Sequence, residues 1–196
     1  RQARQRAECT TIGYLARVCP DKGLHLLAEA LRVLCNLPTM PPVEVCAAGY
    51  LHPADRPFLE GILRQLAQWN IAERFRYVGE LDRPGKIAML QSIDIFCVPT
   101  IYRESKGLYV LEAWAAGAPA VLPAHGTFPE LVADTGGGLL FAPGDVYDLA
   151  DTLKRMILNR QLAAERGLRA QQAVHQKYDI ALTAQRVLKV YKLIRP

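Results

Sequence analysis

Two short stretches of this sequence gather residue types suited to phosphorylated, hydroxyl-rich ligands. The first reads Ala16-Arg17-Val18-Cys19-Pro20-Asp21-Lys22-Gly23 and places a guanidinium and an ammonium five residues apart. Fixed cations of this kind can neutralise a diphosphate, the more so beside a helix N-terminus. The second reads Glu104-Ser105-Lys106-Gly107-Leu108-Tyr109-Val110-Leu111-Glu112, two carboxylates separated by seven residues with a glycine between them. Carboxylate oxygens accept hydrogen bonds from sugar hydroxyls. Lys106 adds a further cation for phosphate. Gly107 lets a ligand come close to the backbone, and amides near Gly107 and Leu108 are first-turn donors for a phosphate oxygen. Each stretch alone also has a plainer reading. Lys22 would be solvated, Arg17 paired at the surface, and the glutamate spacing a product of chance.

What separates these readings is where the elements put the two stretches. Short β-rich apolar runs alternate with amphipathic segments, the pattern of a parallel α/β sheet. Strands are predicted over 10–16, 43–48, 75–78, 94–98, 118–122 and 138–141. Helices are predicted over 22–36, 55–70, 83–92, 106–116, 128–133, 145–159, 160–177 and 180–194. Leu24, Leu27, Leu31 and Leu34 recur at helical spacing in the first of them. Gly117 suits a helix C-terminus, Asp145 suits an N-cap, and Gly79 closes the third strand. Six parallel strands joined by right-handed crossovers imply a doubly wound, Rossmann-like sheet. In the common order 3-2-1-4-5-6, ligands bind beyond the carboxyl ends of strands one and four. Residues 16–22 and 99–107 are the loops at that point, so the two stretches converge on one predicted crevice. Residues 1–8 read as a basic leader and 9–196 as one domain, without internal repeats.

Composition narrows the function classes. The 196 residues are 51% hydrophobic and 22% charged, which is ordinary for a folded globular chain. No apolar run approaches the roughly 20 residues that span a bilayer, and the most apolar region, 107–124, is broken by Glu112, Pro119 and Pro123. The opening Arg-Gln-Ala-Arg-Gln-Arg has no apolar run behind it, so no signal peptide is expected. Five scattered cysteines without a C-x-x-C pair fit a reducing cytosol, and four of them read as small buried hydrophobes. The net charge of +5 suits phosphate-bearing ligands or anionic membrane surfaces. Nucleic acid fits least, because the basic residues are dispersed and not interleaved with aromatics. Neither G-x-G-x-x-G nor G-x-x-x-x-G-K-[ST] occurs. The histidines His25, His52, His125 and His175 have no metal spacing, and with no D-x-D sequence no metal is expected.

The joint pattern resembles the family 4 retaining glycosyltransferases. Arg17 to Lys22 followed by Gly23 is similar to their G-R-x-x-x-x-K-G element, and Glu104 to Glu112 to their E-x7-E motif. Ala113, Ala116-Gly117-Ala118-Pro119 and Gly126-Thr127-Phe128-Pro129-Glu130-Leu131 resemble the continuation of that motif. Three departures stand out: Ala16 where the family has glycine, Gly49-Tyr50-Leu51 without a second glycine, and Lys106 in place of a common phenylalanine.

The resemblance implies the GT-B architecture, two Rossmann-like halves facing a cleft, of which this chain would be the C-terminal, donor-binding half. By resemblance, Arg17 and Lys22 would bind the diphosphate of a nucleotide sugar and stabilise the departing charge. Glu104 would contact sugar hydroxyls and Glu112 the ribose, while Gly79 and Leu81 would line the base pocket. The implied activity is retaining, metal-independent transfer of a hexosyl group from a nucleoside-diphosphate sugar. The acceptor would bind an N-terminal domain outside this sequence, so residues 1–196 alone would turn over little. Peripheral membrane association of the parent enzyme stays open. So do two other readings, a GT-B nucleotide-sugar epimerase and a non-catalytic nucleotide-binding domain.

Overall fold

The computed structural model describes residues 9–194; the basic leader 1–8 lies outside them. Six strands, β1 (Thr10–Leu15), β2 (Val43–Ala48), β3 (Phe75–Tyr77), β4 (Ile95–Cys97), β5 (Ala120–Pro123) and β6 (Gly138–Phe141), form the sheet. They pair in parallel, as the alternating pattern predicts, in the common doubly wound order β3-β2-β1-β4-β5-β6. Eight helices are described: α1 (Leu24–Cys35), α2 (Arg56–Gln68), α3 (Arg83–Ser92), α4 (Leu108–Ala115), α5 (Phe128–Thr135), α6 (Val146–Leu158), α7 (Arg160–Lys177) and α8 (Ile180–Ile194).

A parallel sheet covered on both faces needs strands that are apolar on both faces. β4 is buried at all three of its positions and β5 at all four. On α1 the leucines at 24, 27, 31 and 34 are fully buried, so the predicted stripe faces the core. α1 packs on α6, which buries Leu149, Leu153, Met156 and Ile157, and α4 packs on α7. Trp114 on α4 is fully buried and donates from Nε1 to the Gly137 carbonyl at 2.9 Å.

Helix ends follow their capping chemistry, with two corrections at the start. The sequence pattern starts α1 and α4 at Lys22 and Lys106, whereas both residues lie ahead of these helices. Gly23 (φ 72°) and Gly107 (φ 63°) are left-handed and stand as N-caps of α1 and α4. Lys22 instead ends a 3-10 turn, Pro20–Lys22. Asp145 caps α6, its Oδ1 accepting from the Tyr147 and Asp148 amides at 2.9 and 3.0 Å. At the end of α4, Gly117 N–H bonds the Trp114 carbonyl at 2.8 Å.

The cysteine expectation is also corrected. All five are free thiols, but only Cys46 and Cys97 are buried, and Cys35 is exposed in the last turn of α1 beyond the buried Leu34. α8 presents Ile180, Val187, Leu188, Tyr191 and Leu193 to solvent. Among the described residues no helix is long and apolar enough to cross a membrane.

Candidate functional site

The loops leaving β1 and β4 are stitched together by backbone. The Asp21 carbonyl accepts from the Ile101 amide at 2.8 Å and the Thr100 hydroxyl at 2.9 Å. Gly23 lies so near the other loop that a Cβ there would sit 1.9 Å from the Pro99 carbonyl oxygen. Between these ties the Lys22 side chain is turned inward and is only 7% exposed. Its Nζ meets Glu104 Oε2 at 2.9 Å and the Tyr102 hydroxyl at 2.7 Å.

Glu104 is the hub of this cluster. Its Oε2 accepts from Lys22, from the Tyr102 hydroxyl at 2.7 Å and from the Tyr109 hydroxyl at 3.0 Å. The Ser105 amide donates to Oε1 at 3.1 Å. Burial alone would raise its pKa. The hydrogen bonds from Tyr102 and Lys22, the Lys22 charge and the Tyr109 bond outweigh burial and hold the carboxyl down to about 2. Tyr109 moves the other way: burial and then the neighbouring Glu104 charge push its phenol well above the ordinary range. The loop after β5 clasps the same residue from behind. Gly126, left-handed at φ 58°, would place a Cβ 2.5 Å from the Glu104 carbonyl oxygen, and the Thr127 amide donates to that oxygen at 2.9 Å. His125 Nε2 lies 3.1 Å from the Thr100 carbonyl oxygen.

The other expected residues do not join the hydrogen bonds of this cluster. Arg17 is exposed at the end of β1, where its carbonyl accepts from the Tyr14 hydroxyl at 3.0 Å. Lys106 and Leu108 are exposed and Gly107 is buried. No side chain caps α4, and within its first turn the Val110 amide donates to the Gly107 carbonyl at 2.9 Å. Glu112 is exposed on α4 and pairs with Lys86 of α3 at 2.6 Å. The Gly79 carbonyl accepts from the Gly49 amide at 2.9 Å, and Leu81 packs partly buried against the core. A separate groove of about 500 Å³ between α1 and the start of α6, lined by Glu29, Arg32, Asp145 and Tyr147 among others, holds none of the expected residues. Among the described residues no group of three or more His, Cys, Asp or Glu could hold a metal ion.

Sequence reasoning missed Tyr102, Tyr109 and Lys86. The two tyrosines lie two residues before and five after Glu104, and hydroxyl-bearing aromatics on both sides of a carboxylate were the available signal. Lys86 stands 26 residues from Glu112, with no sequence feature linking them.

Residues 1–173 match the family described as glycosyl transferases group 1. The chain belongs to that family. Phosphatidyl-myo-inositol mannosyltransferase of Mycobacterium leprae is 34% identical over 175 residues, 89% of this chain and 44% of that protein. Among solved structures, Anabaena Alr3699/HepE in complex with UDP and glucose superposes with a TM-score of 0.86 at 22% identity, covering 95% of this chain and 49% of that one. The C-terminal domain of a group 1 glycosyltransferase (LpcC) from Francisella tularensis superposes at 0.77 with 23% identity, covering 87% of both chains. This group 1 chain therefore spans about half the length of the mannosyltransferase and of the Anabaena protein, the share of one half of a GT-B enzyme.

Proposed function

We propose that this chain is the donor-binding part of a retaining glycosyltransferase, which transfers a hexosyl group from a nucleoside-diphosphate sugar. The observation that carries the reading is the Lys22–Glu104 pair, set at the carboxyl ends of β1 and β4 beside the start of α4, which no side chain caps. In this reading Lys22, Arg17 and the first-turn amides of α4 take the diphosphate, with Lys106 at the rim. Glu104 takes sugar hydroxyls and Glu112 the ribose, while Gly79 and Leu81 border the base. UDP and glucose in the Anabaena relative support a nucleotide-sugar ligand.

The chemistry follows from charge. Transfer with retention passes through an oxocarbenium-like transition state while negative charge grows on the leaving diphosphate. Two cations and oriented amides aimed at that charge lower the barrier, and these residues do so without requiring a metal. The acceptor site belongs to a further domain, for which the exposed Ile180, Val187, Leu188 and Tyr191 of α8 offer an apolar contact. The net charge of +5 and similarity to a relative named for a phosphatidyl lipid support peripheral membrane association of the whole enzyme.

Calorimetric titration with UDP-, GDP- and ADP-hexoses tests the reading. Binding of one of them, weakened by Arg17→Ala and Lys22→Ala, is the expected result. Nucleotide binding indifferent to both substitutions defeats it.

A further inference from the structure

We infer that Tyr102 stands in for a sugar hydroxyl between Lys22 and Glu104, and that an incoming nucleotide sugar must displace it. The inference rests on the reading of Lys22 and Glu104 as ligand-binding groups. The Tyr102 hydroxyl accepts from Lys22 Nζ at 2.7 Å and donates to Glu104 Oε2 at 2.7 Å. A sugar hydroxyl set between an ammonium and a carboxylate makes the same two bonds in the same sense. The aromatic ring also covers the ammonium, with Nζ 4.4 Å from its centroid. Tyr102 therefore occupies both the hydroxyl position and the approach to the cation.

Exposure separates this residue from its partners. Tyr102 is 40% exposed on the loop between β4 and α4, while Lys22 is 7% and Glu104 9% exposed. Its side chain can swing into solvent without opening the core. Tyr109 donates to the same oxygen but cannot leave so easily. It sits on α4 with its ring centroid 6.1 Å from that of Phe96 and 6.5 Å from that of Phe128. Tyr109 is thus the standing donor to Glu104 and Tyr102 the exchangeable one.

Withdrawal of Tyr102 exposes one N–H donor on Lys22 and one acceptor position on Glu104. A sugar hydroxyl satisfies both. A bare diphosphate oxygen satisfies the lysine and is repelled by the carboxylate. Tyr102 therefore bears most on ligands that carry a sugar, and its side chain sets how selectively they bind over the bare nucleotide.

The test is calorimetric titration of the wild-type protein and Tyr102→Phe with UDP, GDP and ADP and with their hexose conjugates. Phenylalanine keeps the ring and removes the competing hydroxyl. Affinity for the nucleotide sugar should rise on the order of three- to tenfold, the equivalent of one hydrogen bond, while the bare diphosphate changes by less than about twofold. Tyr102→Ala, which clears the ring as well, should raise the same ratio. If the wild type binds nucleotide sugar and neither variant raises the ratio, the inference fails and the binding site stands. If no nucleotide binds wild type or variants, the donor-site reading fails and takes the inference with it.

Discussion

Lys22 and Glu104 are 82 residues apart in the chain and 2.9 Å apart in space, and both are buried. Removing one partner of a buried pair leaves an uncompensated charge, which costs more than the pair contributes. Lys22→Met should lower unfolding stability by about 3 kcal/mol, with the two tyrosine hydroxyls moderating the loss. Urea denaturation checks this; a change below about 0.5 kcal/mol, the range of ordinary surface substitutions, would contradict it.

Acid should act on the same pair. The Glu104 carboxyl is held at about 2 in the folded protein against an ordinary 4.5. The unfolded chain therefore takes up this proton at a higher pH than the folded one. The stability it confers is complete above about pH 4.5 and drains away as pH falls toward about 2. Denaturation midpoints measured between about pH 6 and pH 3 should fall more steeply for the wild type than for Glu104→Gln, which has no such proton to bind. Parallel curves would remove Glu104 from the acid response.

Arg17 carries the opposite profile. It is exposed, so Arg17→Ala should leave stability within about 0.5 kcal/mol of the wild type. Nucleoside-diphosphate affinity should fall roughly tenfold or more, as expected for loss of a charge-assisted bond. Thermal melts and calorimetry on one preparation separate the two effects, and an unchanged affinity would take Arg17 out of the site.

The two glutamates should divide the ligand between them. Glu112→Ala is expected to weaken nucleoside diphosphates and nucleotide sugars alike. Glu104→Ala should weaken the nucleotide sugar and spare the bare diphosphate. Equal losses for both ligands in Glu104→Ala would defeat the assignment to the sugar.

Gly23 tests the stitching of the loops. Its φ of 72° disfavours any side chain, and a Cβ would meet the Pro99 carbonyl oxygen at 1.9 Å. Gly23→Ala should cost more than about 2 kcal/mol through strain and backbone displacement, read by urea denaturation. Stability equal to the wild type would show that the loops can part freely.

Much of this architecture was legible because periodicity reports which face is buried. The α1 leucines and the six apolar runs identify a parallel sheet, and the common doubly wound order then points at the loops after β1 and β4. The helix starts at Lys22 and Lys106 were placed too early, since both residues tolerate a helix and the interruption comes from the glycine that follows. Pairing was the least legible level. Spacing puts Lys22 and Glu104 on neighbouring loops, but not in contact. That contact depends on Asp21 bonding Thr100 and Ile101, and on Gly126 passing behind Glu104. Lys86 and Glu112 meet because α3 and α4 pack side by side, a relation that no local pattern encodes.

The central position of β1 also bears on how the molecule is made. Ile12 pairs with Ile95, 83 positions later, so the middle of the sheet closes only when these two strands meet. Contacts of such long sequence separation form slowly. The lysine on one loop and the glutamate on the other can meet only once the two strands that carry those loops have paired.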